Sequence, residues 1–339
     1  MSILRFLFLS ITTALLVILV SCSQPNTSNN STPPPANTST ATNASLGQSN
    51  KEQININTAI LSELDKFEAA LGIPALSNKI QANRPYASPE ELVSKNVISQ
   101  AQFDQIKDSV TIEDVVLTGE AKDVDYMAKL GLMKGHLLVA KELLDQQQPK
   151  QAEPHIGHPV EEIYVDVEEQ LNERNVKEFK TTLISLQDLV KSQPKSAKVN
   201  TDFTTSMQAV DGAIAALPDT QRTSPEFVVK VINELLDAAN SEYGAAIANG
   251  KIAAAIEYQD SRGFVTYANQ LLQSVSSQMA KAYPEEHKAI ATNIQELSTA
   301  WTGAIPPAKP VKTPTQVSQL VKTIEQNSQK VLNRSNTPA

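Results

Sequence analysis

The sequence predicts an all-α protein in which a small module of short helices precedes a bundle of longer ones. Three observations support this class. Apolar residues recur at i, i+3 and i+4 along most of the chain, no segment shows the alternation of a useful strand, and only 11 of the 339 residues are glycine. Because no repeat has a fixed period, an up-down bundle is favoured over a solenoid.

The first 21 residues have the pattern of a secretory signal peptide. Arg5 precedes an uncharged apolar run at 6–20, which is shorter than a bilayer span. The run ends in LVSC, which resembles the lipobox of bacterial lipoproteins. This resemblance implies that Cys22, the only cysteine, is acylated and anchors the chain in a membrane. It further implies the periplasmic side of the cell envelope, with the outer membrane favoured because Ser23 rather than aspartate follows the cysteine.

Residues 22–50 are predicted to form a flexible tether after the acylated cysteine. They contain no charged and no aromatic residue and are rich in Asn, Ser, Thr and Pro, so they cannot bury enough apolar surface to fold. The remaining chain is acidic throughout. Residues 51–118 carry six Lys and Arg against ten Asp and Glu, and residues 119–339 carry 22 against 27. Neither part has the basic surface that attracts nucleic acid.

Residues 51–118 are predicted to contain four short helices joined by tight turns. The predicted N-terminus of each helix is indicated by serine, threonine or proline, which are favoured at the N-cap and first helical positions. The predicted starts are Thr58 as an N-cap, Pro74 early in the second helix, Ser88 as the cap of a third helix with Pro89 at its first position, and Ser99 as the cap of the fourth.

This order of helices resembles a tandem helix-hairpin-helix domain. The stretch ININTA at 54–59 is similar to the start of the ComEA-type competence DNA receptors. The stretch NRPYASPEEL at 83–92 looks more like PsbU, an extrinsic subunit of cyanobacterial photosystem II. The resemblance implies the fold of the module, a cyanobacterial origin, and a role in binding either protein or DNA.

The two hairpin turns are the candidate contact sites of this module. DNA-binding relatives use a Gly-x-Gly turn, which lets backbone N–H groups approach a phosphate without a Cβ in the way. The first turn has one glycine and the second has none, which together with the negative charge disfavours DNA. The turn residues are Gly72, Ile73 and Pro74 in the first hairpin and Val97, Ile98 and Ser99 in the second.

Residues 119–303 are predicted to form the bundle, and 304–339 a proline-rich connector with a final helix. Trp301, the only tryptophan, is expected to close the core. Asp123 and Ser224 are predicted N-caps. The predicted helices are 124–147, 159–172, 176–191, 197–217, one from 225, 252–279, 285–301 and 315–332.

Three of the four histidines suggest a metal or haem site. Imidazole is the commonest transition-metal side-chain ligand, and bundle cores bind metals through His and acidic residues on facing helices. Glu257 and Asp260 offer further carboxylates on a later helix. The candidate ligands are His136, His155, His158, Glu161 and Glu162.

A second interpretation of the same stretch is a helix start. Pro159 suits the first position of a helix, which would make His158 a capping residue and leave His155 outside the helix, after a polar loop at 147–154. The two glutamates that follow would then interact favourably with the helix dipole. The choice between the two interpretations depends on whether His136 and His155 face each other.

Three functions remain open from the sequence. No motif of nucleophilic, zinc-protease, P-loop or dinucleotide chemistry is present, so an enzyme is not predicted. The leading prediction is a lipid-anchored, non-enzymatic protein that binds or scaffolds a protein partner. The alternatives are a DNA receptor of ComEA type and a helical domain that binds a transition metal or haem.

Overall fold

The computed structural model describes residues 53–59, 61–113 and 117–335 of the chain. Within these ranges the protein is all-α, as predicted, with strands of only two residues. The predicted signal peptide, Cys22 and the tether lie outside the described residues. None of the helices in the described ranges is both long and apolar enough to cross a bilayer.

The N-terminal module consists of four short helices closed by a two-stranded ribbon. Strand β1 (Ile54–Asn55) pairs in parallel with β2 (Val110–Thr111), which joins the two ends of the module. Apolar side chains from all four helices, among them Phe67 and Phe103, form a small core of their own. The helices are α1 (Leu61–Leu71), α2 (Leu76–Ala82), α3 (Glu91–Ser94) and α4 (Gln100–Ile106).

One of the four predicted helix starts in the module is confirmed. Ser99 caps α4 in a complete capping box with Gln102. The prediction for the third helix is wrong, because Pro89 lies in a turn and α3 begins at Glu91, whose carboxylate accepts the N–H of Ala87. Helices α1 and α2 also begin two to three residues later than their predicted starts.

The rest of the described chain is a bundle of eleven helices and one short hairpin. Helices α5, α11 and α12 form its centre, and α15 packs on α11 and α14. The hairpin pairs β3 (Ile247–Ala248) with β4 (Lys251–Ile252). The helices are α5 (Gly119–Asp145), α6 (Pro149–His158), α7 (Tyr164–Glu173), α8 (Lys180–Ser192), α9 (Lys198–Ile214), α10 (Asp219–Arg222), α11 (Pro225–Ala245), α12 (Ala255–Ser274), α13 (Ser276–Ala282), α14 (Pro284–Ser298) and α15 (Pro314–Ser335).

Several boundaries in the bundle differ from the prediction. Asp123 does not cap α5, which begins at Gly119; its carboxylate instead binds Arg174 at 2.5 Å. The helix predicted over 252–279 is interrupted at Val275, and its start is taken up by the hairpin. Ser224 caps α11 as predicted, and Trp301 is buried, with its indole N–H donating to the carbonyl of Tyr258.

The stretch with two of the histidines is a continuous helix, which contradicts the predicted helix start. Helix α6 runs from Pro149 to His158 and passes into a π-helical segment, Pro159–Ile163, before α7. In that segment the N–H of Tyr164 donates to the carbonyl of Pro159, five residues back. The wider turn lets Pro159, which has no N–H, sit inside a helix. His155 is therefore in a helix, and His158 does not cap one.

Helices α5 and α12 are in direct backbone contact where they cross. A Cβ added to Gly263 would lie 2.2 Å from the carbonyl oxygen of Gly135, and a Cβ on Gly135 would lie 2.6 Å from the ring of Phe264. Only glycine at both positions allows this approach. Because His136 and Asp260 lie within three residues of this contact, the crossing brings those two side chains together.

The module packs on the bundle mainly through α1, which lies against α11. Lys66 on α1 forms an ion pair with Asp237 on α11 at 2.5 Å. A Cβ added to Gly244 on α11 would lie 3.0 Å from the Cβ of Ala69, which shows how closely the two helices approach.

Candidate metal centre

Three histidines surround one buried carboxylate in the centre of the bundle. The Nδ1 atoms of His136 on α5 and His155 on α6 lie 2.6 and 2.7 Å from Oδ1 of Asp260 on α12. The Nδ1 atom of His158 lies 3.6 Å from the other oxygen, Oδ2. We define His136, His155, His158 and Asp260 as the histidine centre.

The two imidazoles on which the sequence interpretation depends do face each other. The rings of His136 and His155 are stacked with centroids 6.4 Å apart, and the His158 ring is edge-on to His136 at 5.5 Å. His155 is fully buried and Asp260 is 2 % exposed, whereas the side chain of His158 is 27 % exposed. Access to the centre from solvent is therefore on the His158 side.

Gln259 fixes which nitrogen of His155 carries a proton. Its amide N–H₂ donates to the carbonyl of Ala304 at 3.0 Å and to Oε1 of Gln151 at 2.9 Å. Because a carbonyl can only accept, the amide oxygen must be the atom that faces Nε2 of His155, at 2.9 Å. His155 therefore donates through Nε2.

This proton assignment leaves Nδ1 of His155 directed at an acceptor. A neutral imidazole has a single N–H, so Nδ1 would present a lone pair to Oδ1 of Asp260, 2.7 Å away. Two lone pairs at that distance repel each other unless a positive charge lies between them. That charge is either a second proton, which makes His155 an imidazolium, or a metal ion.

Burial and charge act in opposite directions on the titratable groups of the centre. Burial raises the pKa of Asp260, but attraction to His136 and His155 and hydrogen bonds from both outweigh it and hold that pKa well below its usual range. Burial lowers the pKa of His136, and Asp260 does not fully offset the effect. Burial also lowers the pKa of His158, but Asp260, with Glu162 and Glu161, raises it to about 9.

The two predicted glutamate ligands do not join the centre. Glu161 is exposed, and the carboxylate of Glu162 accepts the N–H of Leu61 at the start of α1. Among the described residues, the ligand atoms that lie within 4.8 Å of one another belong to His136, His155 and Asp260. Sequence reasoning noted Asp260 only as a carboxylate near Glu257. The burial and fixed position of Asp260 come from the α5–α12 crossing, which no local signal predicts.

The donor atoms suit a divalent transition metal. Imidazole nitrogen with carboxylate oxygen is a donor set that Fe, Zn, Ni and Cu accept. Two ligands on one ion with bonds of about 2.0–2.1 Å lie roughly 3.3 Å apart in a tetrahedral arrangement. The Nδ1 atoms of His136 and His155 lie 2.6 and 2.7 Å from Asp260 Oδ1, so shifts of under about 1 Å would accommodate an ion.

The first hairpin turn of the module is occupied by the chain's own carboxylate. Glu68 accepts the N–H groups of Ala75 and Ser77 at 2.7 and 3.3 Å, together with the hydroxyl of Ser77. The N–H of Ala75 directly follows the turn Gly72, Ile73 and Pro74, and the N–H of Ser77 lies in the first turn of α2. They lie at the position where a DNA-binding hairpin would present N–H groups to a phosphate.

The second hairpin turn is also satisfied internally. Nζ of Lys79 donates to the carbonyls of Asn96 and Val97 at 2.7 and 2.6 Å, while Val97 and Ile98 are buried in the module core. The hydroxyl of Ser99 is part of the capping box of α4, where it accepts the backbone N–H of Gln102. The predicted contact residues of this turn therefore stabilise the module itself.

Two family models match parts of the chain. Residues 49–111 match the helix-hairpin-helix motif, which confirms that part of the predicted resemblance, and residues 218–335 match the iron permease-associated 4-helix bundle domain. No curated protein and no solved structure gives a significant match. The second match contains Asp260 but none of the three histidines of the centre. The chain is therefore similar to these two families over separate segments, and its histidine centre combines residues from inside and outside the matched bundle.

Proposed function

We propose that this protein is a non-enzymatic binding protein whose helical bundle holds one divalent transition-metal ion at the histidine centre. Asp260 supplies a carboxylate oxygen, His136 and His155 supply imidazole nitrogens, and His158 lies beside them on the solvent side. The ion neutralises a buried negative charge and joins the consecutive helices α5 and α6 to α12, more than 100 residues further along the chain.

The observation that carries this proposal is the orientation of His155. Its Nε2–H is committed to Gln259, and Gln259 is itself fixed by Ala304 and Gln151, so Nδ1 is left to face Asp260. A histidine that donates one ring N–H to a neighbouring oxygen and directs the other nitrogen at a carboxylate has the arrangement of a metal ligand.

We propose iron(II) as the physiological ion. The family that matches residues 218–335 is described as iron permease-associated, and Asp260 lies in that segment. Imidazole and carboxylate are accepted ligands of iron(II). Haem is disfavoured because the histidines converge on one carboxyl group, whereas axial haem ligands approach a wide ring from its faces.

The fourth histidine provides a matched control for the test. His287 lies on α14, where Nε2 contacts the hydroxyl of Ser276 at 3.0 Å, away from the histidine centre. The full chain is titrated anaerobically in mild detergent with iron(II), and in parallel with cobalt(II) as a spectroscopic probe. We expect one ion per chain in the wild type and in H287A, and none retained after desalting in H155A. Equal retention by both variants, or no stoichiometric ion in the wild type, would refute the proposal.

Gln259→Leu is expected to weaken metal binding by roughly 10–100-fold, because partners that orient a ligating histidine contribute about that much to affinity. The matched control is Gln273→Leu, which alters an exposed glutamine on the same helix. Competition with a chromophoric chelator measures both affinities, and circular dichroism checks that both variants fold. Equal affinities would show that Gln259 does not orient His155.

The location and partner predicted from the sequence remain proposals. A lipid anchor at Cys22 would place the metal-binding bundle on a periplasmic membrane face, and the PsbU-like residues of the module suggest a protein partner. Labelling with a fatty-acid analogue tests the anchor: the wild type should incorporate it and C22S should not. Labelling of both the wild type and C22S, or of neither protein, would show that Cys22 does not carry a lipid anchor.

Binding of DNA by the module is the second candidate function, and the structure offers it little support. Glu68 already fills the first hairpin turn, and residues 51–118 carry a net charge of −4. A mobility-shift assay at low salt should show no complex with the wild type. A shift that is lost on mutation of the first turn would reinstate the DNA receptor.

A further inference from the structure

A pair of buried carboxyl groups lies at the contact between the module and the bundle. Asp65 on α1 and Glu242 on α11 are each 5 % exposed, and their carboxyl groups hydrogen-bond to each other. A carboxylate has no proton to donate, so this hydrogen bond exists only while at least one of the two acids is protonated. Ser77 on α2, whose hydroxyl donates to Glu68, also lies within hydrogen-bonding reach of Asp65.

We propose that this shared proton is a latch: it holds the helix-hairpin-helix module on the bundle, and its loss on raising the pH weakens the docking. The two acids lie on opposite sides of the α1–α11 contact, so repulsion between two ionised carboxylates acts directly to separate the module from the bundle. This inference does not require the proposed metal ion.

The surrounding charges reinforce the repulsion. Glu68 and Glu257 act on Asp65, and Asp260 and Glu257 act on Glu242, all in the direction that disfavours ionisation. The charged groups around the interface are Glu63, Lys66 and Glu68 on α1, Lys129 on α5, Glu162 in the π-helical segment, Asp237 on α11, Glu257 and Asp260 on α12, and Lys322 and Glu325 on α15.

Two lysines beside the interface, Lys66 on α1 and Lys129 on α5, have acidic partners. Lys66 is paired with Asp237 at 2.5 Å, and Lys129 with Asp125 and Asp166 at 3.0 and 2.5 Å. Burial is the largest effect on both acids and the neighbouring carboxyl groups act in the same direction, while hydrogen bonding to Ser77 acts in the opposite direction on Asp65.

The direction of the pH effect follows from the pKa values. Burial raises the pKa of Asp65 to about 7, and burial together with Asp65 raises the pKa of Glu242 well above its usual range. Separated carboxyl groups have pKa values of about 4. The docked state therefore binds protons more tightly. The contribution of the carboxyl pair to docking is therefore complete below about pH 4 and is lost progressively as the pH rises through about 7.

Release of the module would also uncover part of the bundle. The N–H of Leu61, at the start of α1, is donated to the carboxylate of Glu162 in the π-helical segment. Undocking breaks this bond, so the latch links the pH to a contact of the segment that directly follows His158.

The test is hydrogen exchange on the full chain between about pH 5 and 8, corrected for intrinsic exchange rates, with α14 as an internal reference. In the wild type we expect the opening equilibrium of α1 to rise by about tenfold per pH unit for each proton released. The single variants D65N and E242Q, whose amides cannot ionise, should show a shallower rise. The double variant should show none.

D104N is the matched control, because Asp104 is an exposed acid of the same module; it should follow the wild type. A wild type whose α1 protection does not change relative to α14 would overturn the latch. So would a double variant with the same pH dependence as the wild type.

Discussion

Asp260→Asn is expected to destabilise the bundle by about 3–5 kcal/mol, the usual result of removing one partner from a buried charged pair. The substitution keeps the shape of the side chain but removes the only negative charge among the three histidines of the centre. Nδ1 of His155 and Nδ1 of His136 then lose a charged acceptor. The same variant should fail to retain a metal ion. Denaturant unfolding measures the first effect and elemental analysis the second.

Asp145→Asn is the control for the removal of a carboxylate. Asp145 is an exposed residue on α5 that pairs with Lys141 one turn away. Exposed pairs of this kind contribute about 0.3–0.5 kcal/mol, so the control should stay within roughly 0.5 kcal/mol of the wild type. If D260N were as stable as D145N, the buried carboxylate would not organise the three helices.

Gly263→Ala is expected to have the largest effect of any single added methyl group. The new Cβ would lie 2.2 Å from the carbonyl oxygen of Gly135, so α5 and α12 must move apart. Overpacking of this kind costs about 1–3 kcal/mol and sometimes more, which exceeds the gain of up to about 1 kcal/mol from replacing a helical glycine. The movement would also separate His136 from Asp260, so we expect weaker metal binding along with a lower midpoint of unfolding.

Gly212→Ala separates the packing effect from helix propensity. Gly212 lies in α9, and a Cβ there meets nothing within 4 Å. This variant should be neutral or more stable by up to about 1 kcal/mol. A G263A protein that matched G212A in stability and metal affinity would mean that the glycine contact does not determine the geometry of the centre.

The fold class was predictable because it depends on local patterns. Amphipathic periodicity predicts the helices. Capping residues predict the N-termini after Ser99 and Ser224, and serine N-caps are present at both positions. The starts at Pro89 and Pro159 were wrong for a common reason. Proline signals a boundary, but the surrounding chain decides whether a helix begins there, and next to Pro159 the buried side chains of Val160 and Ile163 hold the helix together across a π turn.

The candidate site was predictable only in part. His155 and His158 are three residues apart in the sequence, so they are predicted to lie on the same face of a helix if that helix is continuous. The sequence also places His136 on a neighbouring helix. The central carboxylate could not be ranked above the adjacent glutamates, since its position depends on a glycine contact between helices more than 120 residues apart. Gln259, which orients His155, has no local signature because its own orientation comes from Ala304, 45 residues further along the chain.

The most direct test of the metal centre is a crystal structure of the protein grown with iron(II) or cobalt(II), with diffraction recorded on both sides of the metal absorption edge. We expect one anomalous peak, bonded to Nδ1 of His136, Nδ1 of His155 and a carboxylate oxygen of Asp260. No peak in a crystal whose solution sample contained the metal, or a peak only at exposed carboxylates such as Glu161, would contradict it.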